Sequence, residues 1–435
     1  MKKFQAVFLF MFLIACSPSQ PVLPTVSYDI ETTSTPPATL PTLTPIPTTM
    51  PAATLTPIGG GSGKITFTSE RDGEQGIYVI NTDGSNLVEL AGDIPSKFYP
   101  AWTLDGAKVS FSTATEKSAS LYIIDADGSN LVKVLDTSEI RAYDQISPDS
   151  TVGISCCTVW SPDGEKIIFK TSRDVGRFGS IGHIHILNLT NNQKFDFRAA
   201  GWAGIFWSSD SSKFGVIGTD RCGGFWLCVM NTADGIPVDL KGIYSVTFPS
   251  NLYWSPDGKK ITFAAFWNSK NMDVFVLDED FSNAINITST LVNGQNEGPV
   301  WSPDSQKIAF TSCDVNLCEL YVANADGTNS IKLTPQILGL NSMVWSRDSE
   351  KVVYVSVENG NSEIFIADSD GSKSINLTKH PADDSNPVWS PDGTKLAFVS
   401  DRDGNDEIYI MNVNDQYVFR LTKNDTNDFS PIWLP

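Results

Sequence analysis

The sequence predicts an all-β fold, an eight-bladed β-propeller. Three observations carry that reading: a tryptophan at near-constant spacing, a four-strand pattern inside each repeat, and two chain ends that supply complementary parts of one unit.

The tryptophans are Trp102, Trp160, Trp207, Trp254, Trp301, Trp345, Trp389 and Trp433, with spacings of 58, 47, 47, 47, 44, 44 and 44 residues. Three residues after each of the first seven stands Asp105, Asp163, Asp210, Asp257, Asp304, Asp348 or Asp392. Nine residues after six of those seven tryptophans comes an aromatic, with Val216 the exception. A catalytic group need appear only once, so the repeated aspartates read as clamps on turn amides.

One unit shows the element order. Pro387-Val388-Trp389 reads as a short inner strand, and Ser390-Pro391-Asp392-Gly393 as a tight turn with Pro second and Gly closing. Lys395 to Ser400 is a buried strand, Asp401 to Glu407 a loop, and Ile408 to Asn412 a third strand. The fourth runs from Val418 to Leu421. Elsewhere Asp125 to Gly128 and Asp368 to Gly371 are hairpin turns between the third and fourth strands.

Residues 64–90 supply a second, third and fourth strand without an inner one, and Pro431 to Leu434 is an inner strand with nothing after it. Joined, they complete an eighth blade and remove the exposed edges of an open array. The alternative, a seven-bladed ring, leaves one strand set unpaired.

The stretches Trp160-Ser-Pro-Asp-Gly164, Trp254-Ser-Pro-Asp-Gly258 and Trp389-Ser-Pro-Asp-Gly393, with the Leu377-Thr378 and Leu421-Thr422 pairs, resemble the TolB-like (WD-repeat-like) β-propeller repeat family. The resemblance covers nearly all of 64–435. It implies the fold more than the function, because such repeats serve binding scaffolds, peptidase propellers and some carbohydrate lyases alike.

Ahead of the propeller, Lys2 and Lys3 precede an apolar run from Phe4 to Ala15 that is too short to span a bilayer. It ends Leu13-Ile14-Ala15-Cys16, which resembles a bacterial lipobox with Cys16 as the acylated residue. The expected organisation is a signal peptide at 1–15, a lipidated linker at 16–62 and the propeller at 63–435. Residues 17–62 hold 10 Pro and 11 Thr, an extended stalk at about 3.1 Å per residue. The location expected is extracytoplasmic, with the lipid in a bacterial cell membrane or outer membrane.

Composition limits the partners. The formal charge of −19 repels phosphate backbones and disfavours nucleic acid. At 41% hydrophobic residues the bulk of the chain can fold around a core, and a monomer is expected. The remaining partners are an envelope protein or a glycan.

Functional residues are sought where the repeat breaks. Loops between the second and third strands, and between blades, vary in length and share one face, the expected binding surface. Phe178, Trp202, Phe225, Trp226, Phe266 and Trp267 fall there outside the motif, suited to stacking on sugars or anchoring a protein. Asn296, Glu297, Asp384 and Asp428 lie four or five residues before a blade tryptophan and are placed at the channel mouth, facing a cation, a basic group or water.

The six propeller cysteines map to the same face. Local disulfides Cys222–Cys228 and Cys313–Cys318 are expected, with Cys156 and Cys157 a vicinal pair or free thiols in a long connection. Irregular spacing and missing histidines disfavour zinc. Asp401 to Glu407 looks like part of a calcium loop but recurs as a repeat loop at Ser69 to Gly73, so no cofactor is expected.

No catalytic residue is assigned. His183 and His185 share one strand face, a possible metal pair, but His185 fills a slot held elsewhere by Tyr122, Tyr321 and Tyr409. The expected function is a non-enzymatic binding or scaffold module. The alternatives are a carbohydrate-active lyase or hydrolase at the channel mouth and an architectural subunit of an envelope complex.

Overall fold

The computed structural model describes residues 63–114, 118–137, 152–174, 180–199, 205–217, 227–238, 252–266, 271–291, 294–314 and 317–434. All of them fall in one compact unit, Pro51–Pro435. Residues 1–62, with Cys16 and the expected signal peptide and linker, lie outside the described residues.

Every named element is a strand. The first set is β1 (Lys64–Ser69), β2 (Gly76–Asn81) and β3 (Val88–Leu90). The second is β4 (Phe98–Trp102), β5 (Lys108–Ala114), β6 (Ala119–Asp125) and β7 (Val132–Asp136). The third is β8 (Val152–Trp160), β9 (Lys166–Asp174), β10 (Ser180–Asn188) and β11 (Lys194–Ala199). Then come β12 (Ile205–Trp207), β13 (Lys213–Ile217) and β14 (Leu227–Asn231), followed by β15 (Tyr253–Trp254), β16 (Lys260–Ala265), β17 (Asp273–Asp278) and β18 (Ile285–Asn286). The sixth set is β19 (Gln295–Trp301), β20 (Lys307–Asp314), β21 (Leu317–Asn324) and β22 (Ile331–Lys332). The seventh is β23 (Ile337–Trp345), β24 (Lys351–Glu358), β25 (Asn361–Asp368) and β26 (Ser374–Asn376). The last is β27 (Asp384–Trp389), β28 (Lys395–Ser400), β29 (Glu407–Asn412) and β30 (Val418–Arg420), and β31 (Asp428–Trp433) ends the chain.

Neighbours within a set pair antiparallel, the meander of a propeller-like fold. β31 pairs with β1, giving the sheet order β3-β2-β1-β31. The sets of β19–β22 and β23–β26 are joined into one sheet by pairing between β21 and β23.

The turn motif explains itself in hydrogen bonds. In the Ser390 turn the hydroxyl donates to Asp392 Oδ1 at 2.6 Å, and that oxygen accepts the Thr394 amide at 3.0 Å. The Lys395 amide closes onto Ser390 Oγ at 2.9 Å. The same set recurs at Ser302 with Asp304, Gln306 and Lys307, and at Ser346 with Asp348, Glu350 and Lys351. The repeated aspartates therefore hold their own turns.

The tryptophans tie one set to the next. Trp301 Nε1 donates to the Tyr253 carbonyl at 3.0 Å, Trp345 Nε1 to Val300 at 3.0 Å and Trp433 Nε1 to Val388 at 3.1 Å. In every set but the fourth, where Val216 replaces it, the aromatic on the second strand stacks on a third-strand ring, as Phe310 does on Tyr321 and Phe398 on Tyr409. His185 fills the tyrosine slot, stacked on Phe169 with ring centres 5.0 Å apart and its Nε2 2.8 Å from Thr171 Oγ1.

Apolar clusters lie between sets. Ile65 and Phe67 of β1 pack with Ala397, Val399 and Ile408, while Ile77 and Val79 of β2 pack with Val109 and Phe111. Six further clusters each join two consecutive sets along the chain.

The inner strands are longer than their sequence suggests. β27 starts at Asp384 rather than Pro387, and β31 at Asp428 rather than Pro431. Each carries a bulge whose central residue sits in the left-handed region three positions before the tryptophan: Asn386 at φ 51° and Ser430 at φ 55°. A bulge breaks the two-residue alternation by which a strand is recognised. Cys156 and Cys157 likewise fall inside strand β8 rather than in a connection.

Candidate functional site

The first strand of each set brings the residues five positions before the tryptophan to equivalent places. Asn296, Asp384 and Asp428 occupy them, and all three are fully buried. Their placement as exposed binding-surface residues at the channel mouth is corrected here for these three, while Glu297 is exposed.

Their burial has a repeated cause. Asp428 accepts from Arg71 Nη2 at 2.8 Å, and Asp384 accepts from Arg402 Nη2 at 2.8 Å. Each arginine is also held from behind, its Nε donating to Ser69 or Ser400 Oγ at 2.9 Å. Arg71 lies over the Phe67 and Tyr78 rings, and Arg402 over Phe398 and Tyr409, with the nearer ring at 4.7 Å in both. Burial pushes the Asp384 and Asp428 carboxyls above the usual range, against the opposing pull of the serine hydroxyls and the arginines. Asn296 has no arginine and instead donates to Asp273 Oδ1 at 3.1 Å.

The Leu-Thr pairs complete this layer. The Ile408 amide donates to Thr422 Oγ1 at 2.9 Å, and the Thr422 hydroxyl donates to Glu407 at 2.5 Å. Thr378 and Thr288 repeat the arrangement with Glu363 and Asp273. Asn424 Nδ2, bonded to Asp428 at 2.9 Å, extends the Glu407 network into the next inner strand. At Asp273–Asn296 and Asn424–Asp428 polar groups thus fasten the end of one set to the start of the next inner strand.

The Asp401–Glu407 loop uses its carboxylates in the same way. Asp401 accepts the Asp383 amide at 2.9 Å, Asp403 accepts the Tyr409 hydroxyl, and Glu407 accepts Arg420 Nη2 at 2.7 Å. Among the described residues no group of three or more His, Cys, Asp or Glu side chains is arranged to hold a metal ion.

On the variable edge the Cys313–Cys318 disulfide is formed across the β20–β21 pair, where the two cysteines are register partners. Cys228 is buried and disulfide-bonded, and Cys222 lies outside the described residues. Phe266 is half-buried at the end of β16. Phe178, Trp202, Phe225, Trp226 and Trp267 lie outside the described residues.

Sequence reasoning missed Arg71 and Arg402. The signal was present: both stand two residues after a serine, itself two after a phenylalanine, in Phe-Thr-Ser-Glu-Arg-Asp-Gly73 and Phe-Val-Ser-Asp-Arg-Asp-Gly404.

Antiparallel sets, four-stranded except for the three described strands β12–β14, packed through buried aromatics with interlocking turns, define a β-propeller protein. Residues 318–435 match the TolB beta propeller domain model, and this stretch belongs to the TolB-like propeller repeat family. An uncharacterized protein of Agrobacterium fabrum is 24% identical over 186 residues, which is 41% of this chain, and the match spans 58% of that relative's length. Among solved structures, a eukaryotic initiation factor is similar at 12% identity with a TM-score of 0.54, over 86% of this chain and 98% of that one. Oligogalacturonate lyase from Vibrio parahaemolyticus is similar at 12% identity with a TM-score of 0.51, over 82% of this chain and 88% of the other. These structural likenesses are of fold. No helix among the described residues is long and apolar enough to cross a membrane.

Proposed function

We propose that the chain is an extracytoplasmic binding module: a signal peptide at 1–15, a lipid on Cys16, a linker through residue 62, and an eight-bladed propeller at 63–435 closed by β31 against β1–β3. Eight apolar clusters, each shared by two strand sets, support the blade count, and two of them involve the first set. The β1–β31 pairing supports the closure.

One observation carries binding over catalysis. The acids that recur, from the turn aspartates to Asp384, Asp428 and Glu407, each have at least one carboxylate oxygen held by a donor of their own repeat. Recognition then falls to the varied loop edge and its aromatics, with an envelope protein or a glycan as partner. The module needs no cofactor in this reading.

The test is a glycan and envelope-protein array probed with the full chain, with mass spectrometry of every glycan hit. Retention of an unaltered ligand is the expected result. Shortened or unsaturated sugar products would assign a carbohydrate-active enzyme instead.

A further inference from the structure

Three apolar side chains stand exposed side by side on the variable edge. Leu317 opposes Leu338 across β21–β23, and Leu338 opposes Val357 across β23–β24. Directly opposed residues of antiparallel strands project to one face. Leu317, Leu338 and Val357 are 39%, 49% and 37% exposed, where aliphatic residues at strand positions are ordinarily buried.

The strip is held in place. It lies at the pairing that fuses two strand sets into one sheet. The Cys313–Cys318 disulfide adjoins Leu317. Beside Leu338, the Gly339 backbone approaches so closely that a Cβ there would stand 2.8 Å from Val357 Cγ2. A rigid apolar strip loses little conformational freedom on binding.

Its surroundings are acidic on balance. Residues 308–372 contain nine Asp and Glu against three bases, Lys332, Arg347 and Lys351, and Lys332 and Lys351 are already paired with Glu319 and Asp368. Asp314 is the register partner of Leu317, and Glu358 follows Val357 in the chain. A second copy of a chain carrying −19 would bring the same acids to the contact, and an anionic bilayer is repelled for the same reason.

We propose that Leu317, Leu338 and Val357 form a docking strip for a segment of a partner protein that presents apolar residues flanked by Lys or Arg. The proposal rests on the binding-module reading and gives that module a protein partner of defined chemistry.

The probe is a fluorescent decapeptide of alternating Leu and Lys, titrated onto the full chain held in nanodiscs of neutral lipid. Alternating Ser–Lys and Leu–Glu peptides serve as controls. The Leu–Lys peptide should bind at least about tenfold more tightly than either control, the scale of one buried leucine. Leu338→Ser and, independently, Leu317→Ser should each lose about tenfold with the thermal midpoint unchanged. Glu358→Gln should weaken binding at low salt and have little effect at high salt.

Equal affinity for the Ser–Lys peptide, or wild-type affinity in both leucine variants, overturns the strip. So does a concentration-dependent dimer that Leu338→Ser abolishes, which would make the strip a self-interface. Wild-type-like variants leave the module reading standing, since the array tests that separately.

Discussion

Arg71 and Asp428 are 357 residues apart in the chain and 2.8 Å apart in space. The pair joins the loop after β1 to the start of β31, so the two ends of the propeller segment meet in an ion pair as well as in a sheet. Arg402 and Asp384 make the same contact within a set that is continuous in sequence. One local device therefore serves both a contiguous and a discontinuous repeat.

Removing the arginine alone leaves a carboxylate with no exposed surface and no counter-charge. Arg71→Met and Arg402→Met should each cost about 3–5 kcal/mol in chemical denaturation, and pairing Arg71→Met with Asp428→Asn should recover a substantial part. Equal stability of Arg71→Met and wild type would show that this contact does not hold the ends together.

The turns offer a subtler comparison. Where other repeats place a closing glycine, Ser305 occupies the left-handed region at φ 63° and its Oγ accepts the Asp257 amide of the preceding set at 3.0 Å. Ser305→Ala keeps the strained backbone and loses the bond, a cost of about 1–2 kcal/mol. Ser305→Gly loses the bond but relieves the strain, and should fall within about 1 kcal/mol of wild type. Thermal melts of the two variants check the order, and a less stable Gly variant would contradict it.

The acids divide by sign of pH dependence. Burial opposes ionisation of Asp163, Asp210, Asp257 and Asp348, yet serine hydroxyls and turn amides outweigh it and hold each below the ordinary 3.8. At Asp392 the Ser390 hydroxyl leads the same lowering. Their stabilisation is present above pH 3.8 and is lost as pH falls through the lower folded values. Asp384 and Asp428, pushed up by burial, act oppositely: stability declines as pH rises from 3.8 through their raised values. Denaturation midpoints against pH should show Asp392→Asn flattening the acid limb below pH 3.8, and Asp428→Asn removing part of the decline above it. The opposite assignment of the two effects would contradict the origin given for each.

Much of this architecture is written locally. Trp389, the Ser390 turn, the Lys395–Ser400 strand and the stacked Phe398 all follow from spacing and turn chemistry, and the observed β28 has the predicted ends. The outer half of each inner strand is not legible because Asn386 and Ser430 break the alternation with bulges. Asp384 and Asp428 read as surface acids because a lone carboxylate is normally solvated, and only the tertiary register brings Arg402 and Arg71 to them. The exposure of Leu317, Leu338 and Val357 is not legible either, because it depends on how two sets join.

The claim on which the rest stands is that the last strand completes the first sheet. Thr66 and Ile432 are register partners across β1 and β31. Thr66→Cys with Ile432→Cys, oxidised and digested, should yield a cross-linked peptide pair from the two ends of the propeller segment, absent from either single variant. A folded double variant that gives no such cross-link, with both new thiols still free, would contradict the closure and with it the eight-bladed arrangement.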